Sequence, residues 1–108
     1  MSVNANANPS SGNAVPARRI LVIEDDPSIS LGLRINLEAE GYVVGVSEDG
    51  RAGLDRVTAE RWDAIILDVM LPKLNGFEVV KHMRSLGDDT PVLMLSAKSA
   101  ESDKVMGL

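Results

Sequence analysis

Three carboxylates and one hydroxyl are candidates for a chemical role, because they follow directly after runs of apolar residues. Glu24 and Asp25 follow one run, Asp68 follows a second and Ser96 follows a third. If the fold brings the three carboxylates together they repel one another, and a divalent cation relieves that repulsion. A ligand set made of oxygen atoms alone suits Mg²⁺. The sequence therefore favours a magnesium site at Glu24, Asp25 and Asp68.

Helix capping is a competing role for the acidic residues after the first run. A carboxylate after a strand often caps the next helix, and capping is the whole role that we predict for Asp26. For Glu24 and Asp25 taken alone, both interpretations stand, and Asp68 after another strand is what favours metal binding. No glycine-rich loop follows the first run, which argues against a dinucleotide or flavin binder.

Apolar strand segments and helix segments alternate along most of the chain. Their order is β-α-β-α-β-α-β-α with short loops, which predicts an α/β fold with a doubly wound parallel sheet and helices on both faces. Ligands of such sheets bind beyond the carboxyl ends of the strands, where the candidate residues lie. The predicted strands are residues 20–23, 42–47, 64–67 and 91–95; the predicted helices are residues 27–41, 49–60, 77–85 and one that starts near Ser99 and contains the end of the chain.

The first predicted helix has an ambiguous apolar pattern. Its apolar residues alternate as in a strand, yet they also form two sets spaced by four residues. Asp26 as N-cap, Pro27 in the first turn and Gly41 at the end favour a helix over a strand. The two sets are Ile29, Leu33 and Leu37, and Leu31 and Ile35.

Length, charge and composition limit the class of protein. The 108 residues allow one small domain, and the net charge of −5 disfavours non-specific nucleic-acid binding by this segment. No apolar run approaches the ~20 residues of a membrane span, and no secretory signal is visible. The absence of cysteine excludes disulfides and thiolate metal sites. We predict a cytoplasmic protein with a disordered tail over residues 1–17 and one domain over residues 18–108.

Three motifs, in this order and at these spacings, resemble those of response-regulator receiver domains of two-component signalling. They read ILVIEDDP at residues 20–27, DVMLPKLNG at residues 68–76 and PVLMLSAK at residues 91–98. The resemblance covers residues 19–108 and implies the flavodoxin-like fold of that family. It also implies a phosphorylated signalling module and not an enzyme with a substrate of its own.

The resemblance assigns roles to individual residues. It implies that Asp68 is the phosphoacceptor and that Glu24 and Asp25 are the acidic pair that binds Mg²⁺ with it. Met70 would add its backbone carbonyl to the metal, and Ser96 would be the hydroxyl that follows the phosphoryl group. These roles agree with general chemistry, because a carboxylate forms an acyl phosphate only where metal and cations absorb the charge of the transferring oxygens.

The sequence departs from the family pattern at its carboxyl end. The family has a fifth strand, a lysine that follows this strand and a last helix, and the corresponding positions lie beyond Leu108. The resemblance therefore implies a receiver domain that is incomplete at this end. Residues 91–95 would then form an edge strand, and their uncharged sequence would be an aggregation hazard.

The resemblance implies partners as well as a site. The phosphoryl group would come from a sensor histidine kinase or a phosphotransfer protein, and association of two copies is compatible with the family. The stretch LPKLNGFEV at residues 71–79 is similar to receivers joined to winged-helix DNA-binding domains, which implies an output domain beyond residue 108 and control of transcription. We keep one alternative, a receiver-like module that acts by dimerisation or binding without phosphorylation.

Overall fold

The computed structural model of this chain describes residues 16–95 and 105–107, arranged as three helices and one five-stranded sheet. The strand order is β2-β1-β3-β4-β5, with the first four strands parallel and β5 antiparallel to β4. The elements are β1 (Arg19–Ile23), α1 (Pro27–Ala39), β2 (Val43–Ser47), α2 (Gly50–Ala59), β3 (Ala64–Asp68), α3 (Gly76–Ser85), β4 (Val92–Leu95) and β5 (Val105–Gly107). The predicted α/β class with a doubly wound parallel sheet is confirmed.

The carboxyl-terminal end of the described chain differs from the prediction. Residues 99–104 of the predicted fourth helix lie outside the described residues, but Val105–Gly107 is a strand that pairs with β4. The prediction of a helix that contains the end of the chain is therefore wrong at these residues, and β4 is not an edge strand. The physical reason is that the outer backbone groups of β4 need hydrogen-bond partners, and a short antiparallel return supplies them.

The predicted amino-terminal tail falls almost wholly outside the described residues, which begin at Pro16. Pro16 and Ala17 are exposed and precede β1 without regular structure. Between residues 16 and 95, and at 105–107, no helix is both long and apolar enough to cross a membrane.

The main core lies on the face of the sheet that α2 and α3 cover. The central strands β1 and β3 are buried because each has a strand on both sides, and their apolar runs match that environment. The core consists of Leu21, Ile23, Leu54, Val57, Trp62, Ile65, Leu67, Leu71, Val79, Met83, Val92 and Met94.

The residues with the ambiguous apolar pattern form helix α1, and only one of their two apolar sets is partly buried. One set of apolar residues spaced by four, Ile29, Leu33 and Leu37, is half-buried. The other set is exposed, with Leu31 at 56% and Ile35 at 58%. A helix places residues four apart on one face, so only one of the two sets can pack on the sheet.

Each helix begins at a side chain that accepts a backbone N–H of its first turn. Asp26 accepts from Ser28 N at 2.9 Å, which confirms its predicted capping role. Asp49 accepts from Ala52 N at 2.7 Å at the start of α2. Asn75 starts α3. These caps accept hydrogen bonds from backbone N–H groups that have no partner within the helix. They also place the helix starts at the carboxyl ends of the strands.

Trp62 packs at the opposite, amino end of the strands. Two guanidinium groups lie close to its ring, with the Arg19 carbon 4.4 Å and the Arg56 carbon 5.1 Å from the ring centre. Arg56 and Arg19 also hydrogen bond to Glu60 and hold the pKa of that carboxyl below its usual value. Gly45 gives the ring room, because a β-carbon there would lie 2.7 Å from Trp62.

Candidate functional site at the carboxyl ends of the strands

The pairing of β1 with β3 brings the predicted acidic residues together. The register sets Ile23 beside Leu67, so the residues that follow these two, Glu24 and Asp68, emerge at the same edge of the sheet. One carboxylate oxygen from each of Glu24, Asp25 and Asp68 lies within 4.8 Å of the other two. The structure thus joins three of the five residues predicted for the site.

The three carboxylates differ in exposure. Glu24 and Asp68 are each 1% exposed, whereas Asp25 is accessible to solvent. Two carboxylates buried at short range repel each other in a medium of low dielectric, and a cation bound between them offsets that repulsion. The donor set contains oxygen alone, and its spacing suits a hard divalent cation that keeps some of its water. The residues present therefore fit Mg²⁺.

Backbone amides orient the two buried carboxylates. Asp26 N donates to Glu24 Oε2 at 3.0 Å, and Met70 N donates to Asp68 Oδ1 at 3.1 Å. Asp26 caps α1, and its Oδ1 accepts from both the amide and the hydroxyl of Ser28. The acidic run after β1 is therefore divided between a cluster and a helix cap.

Gly76 lets α3 begin directly against the phosphoacceptor candidate. A β-carbon on Gly76 would lie 2.6 Å from the backbone oxygen of Asp68 and 2.8 Å from Met94 Cε. Gly76 N also donates to Val69 O at 2.9 Å. The sequence signalled only a chain break at Asn75-Gly76, and the close approach that requires glycine emerges from the tertiary structure.

Two predicted site residues remain predictions. Ser96 lies outside the described residues, directly after Leu95, whose carbonyl accepts from Val69 N at 3.0 Å. Met70 follows Asp68 by two residues and its side chain is 65% exposed. The ligand expected from Met70 is its backbone carbonyl, which does not depend on the side chain.

Comparison with known proteins assigns the family. The model of the response regulator receiver domain matches residues 20–108 of this chain. The chain belongs to this family. Its fold is therefore that of a known signalling module, and the resemblance read from the three sequence motifs is confirmed.

Individual relatives agree with this assignment of the receiver domain. The response regulator MprA of Mycolicibacterium vanbaalenii is 47% identical over 90 residues, which are 83% of this chain and 39% of that protein. The response regulator TrrA of Thermotoga maritima was solved with Mg²⁺ and BeF, and it is 32% identical to this chain with a TM-score of 0.72. The match covers 78% of this chain and 72% of that one.

A second solved structure is the receiver domain of a sensor histidine kinase from Pseudomonas aeruginosa. It holds a magnesium ion in its active-site cleft and is 29% identical to this chain, with a TM-score of 0.73. The match covers 82% of this chain and 74% of that one. This receiver domain is thus similar in fold to two proteins whose sites were solved with magnesium.

Proposed function

We propose that this receiver domain accepts a phosphoryl group on Asp68 from a histidine kinase or phosphotransfer protein. The observation that carries the proposal is the cluster of Glu24, Asp25 and Asp68, with two of its three carboxylates buried. A module that only dimerises or binds does not require two carboxylates buried at short range. Mg²⁺ would be held by these three residues and by the Met70 carbonyl.

The proposed reaction is an in-line transfer to a carboxylate. A carboxylate oxygen of Asp68 forms a bond to phosphorus while the phosphorus–nitrogen bond of the donor phosphohistidine breaks, and the leaving imidazole takes up a proton. When bound, Mg²⁺ neutralises charge on the transferring oxygens. The Met70 amide fixes the rotation of the Asp68 carboxylate. Ser96 would donate its hydroxyl to the phosphoryl group once it is transferred.

The chain spans 39% of the length of the relative named response regulator MprA. We propose that an output domain beyond residue 108 binds DNA and that phosphorylation controls transcription in the cytoplasm. Association of two receiver domains would fit such a regulator.

The proposal predicts phosphorylation that depends on divalent metal. Incubation with acetyl phosphate and Mg²⁺ should add one phosphoryl group, and peptide mass spectrometry should place it on Asp68. Chelation of the metal should reduce labelling by at least about a hundredfold, because the charge of the transferring oxygens is then not neutralised. Labelling that proceeds equally well with chelator, or that maps to another residue, contradicts the proposal.

The metal site predicts a second result that needs no phosphoryl donor. Calorimetry should show that Asp25→Asn weakens Mg²⁺ binding by at least about tenfold, because a charged oxygen ligand is replaced by a neutral one. Asp55→Asn is the matched control, since Asp55 pairs with Arg51 on α2 and both side chains are 63% exposed. Equal Mg²⁺ affinity in the wild type and Asp25→Asn would remove Asp25 from the site.

A further inference from the structure

The loop that follows Asp68 holds a strained backbone conformation. This β3–α3 loop comprises residues 69–75, and within it Leu74 N donates to Pro72 O at 2.8 Å. The residue between them, Lys73, has a φ of 70°, in the left-handed region. A hydrogen bond across a single residue with positive φ defines a γ-turn that is rare and strained. Such a turn persists only where surrounding structure imposes it.

The amino end of α2 is the structure that contacts this turn. Gly50 N donates to Pro72 O at 3.3 Å, so one carbonyl accepts from both the turn and the helix. A β-carbon on Gly50 would lie 2.6 Å from the Leu74 carbonyl carbon and closer still to its oxygen. Backbone therefore meets backbone here, and a side chain at residue 50 would force the loop away from α2.

Asp49 adds a side-chain contact to the same junction. Its Oδ1 caps α2 by accepting from Ala52 N at 2.7 Å, and its Oδ2 lies 3.7 Å from Lys73 Nζ. Lys73 is mostly exposed, so this ion pair is weak by itself. It nevertheless links the helix cap to the one non-glycine residue with positive φ among the described residues.

We propose that Asp49 and Gly50 are positioning residues for the phosphorylation site. By holding the γ-turn, they fix the β3–α3 loop, which carries the Met70 amide that orients Asp68 and the Met70 carbonyl expected at the metal. Neither residue touches the reacting atoms. The inference rests on the proposed function for its metal-binding consequence, while the positioning of the Met70 amide can be measured without metal.

Gly50→Ala tests the proposal in the whole chain. We expect about tenfold weaker Mg²⁺ binding by calorimetry, and about tenfold faster exchange of the Leu74 and Met70 amides in metal-free protein. Gly45→Ala is the control for general destabilisation, because its β-carbon, in the middle of β2, would crowd Trp62 and Arg56. It should lower stability while Mg²⁺ affinity stays within about twofold.

Two milder variants keep the test decisive if Gly50→Ala fails to fold. Lys73→Gly allows the positive φ without strain and removes the ion pair, so the fold should persist while Mg²⁺ binding weakens by about two- to fivefold and Leu74 exchange accelerates. Asp49→Asn keeps the helix cap and loses only the charge, so its effects should be smaller.

The outcomes separate this inference from the proposed function. The inference would be overturned if folded Gly50→Ala, or Lys73→Gly, bound Mg²⁺ with wild-type affinity and exchanged its Leu74 and Met70 amides at wild-type rates. A wild-type chain that binds no Mg²⁺ would contradict the proposed function instead. In that case faster Met70 exchange in the variants would still support positioning of Asp68, and unchanged exchange would refute it.

Discussion

Replacing Asp68 with asparagine is expected to abolish phosphoryl labelling of the chain by acetyl phosphate with Mg²⁺. Asparagine has nearly the shape of aspartate, and its Oδ1 can still accept from the Met70 amide, as Asp68 Oδ1 does at 3.1 Å. Its amide group is not a nucleophile, however, and it lacks the charge that helps to hold a cation. Labelling should fall by at least about a thousandfold, and the wild-type label should be stable to acid and labile to base, as an acyl phosphate is.

Loss of label must be distinguished from loss of fold. Metal-free Asp68→Asn should unfold at a temperature no lower than that of the wild type, because one of three mutually repelling carboxylates has been neutralised. Asp89→Asn is the matched control, since Asp89 is exposed in the loop between α3 and β4, and its labelling should equal that of the wild type. Strong labelling of folded Asp68→Asn would show that the phosphoacceptor is a different residue.

Truncation of Leu21 to alanine should produce a large loss of stability. Leu21 lies in the middle of β1, is completely buried and belongs to the core beneath α2 and α3. Leucine-to-alanine changes in such cores cost about 3–5 kcal/mol, because transfer free energy is lost and a cavity remains. Small domains have only about 5–15 kcal/mol of net stability, so urea unfolding should show a much lower midpoint.

An exposed leucine on the surface of α1 provides the control. Leu31 is 56% exposed on α1, so Leu31→Ala removes few buried contacts. It should change the free energy of unfolding by about 0.5 kcal/mol or less. Similar losses in the two variants would mean that the outer face of α1 is covered in solution, or that β1 is not the centre of the core.

The cluster of Glu24, Asp25 and Asp68 could be predicted because it depends on topology more than on fine packing. Carboxyl ends of parallel strands meet at one edge, so residues that end apolar runs converge there whatever the details of the core. The capping role of Asp26 was equally local. The predicted helix from Ser99 failed at Val105–Gly107, because pairing with the outer edge of β4 is a long-range interaction that no local pattern encodes.

By itself the sequence determined the order of the elements from β1 to β4, the starts of their helices and the family, since apolar period, caps and motifs are properties of neighbouring residues. Only the tertiary structure decided which apolar set of α1 packs on the sheet, where Leu31 and Ile35 stay exposed. It alone decided that Gly50 must approach the Leu74 backbone. The physical reason is that such contacts join residues distant in sequence, and their geometry exists only once the strands are paired and the helices are packed.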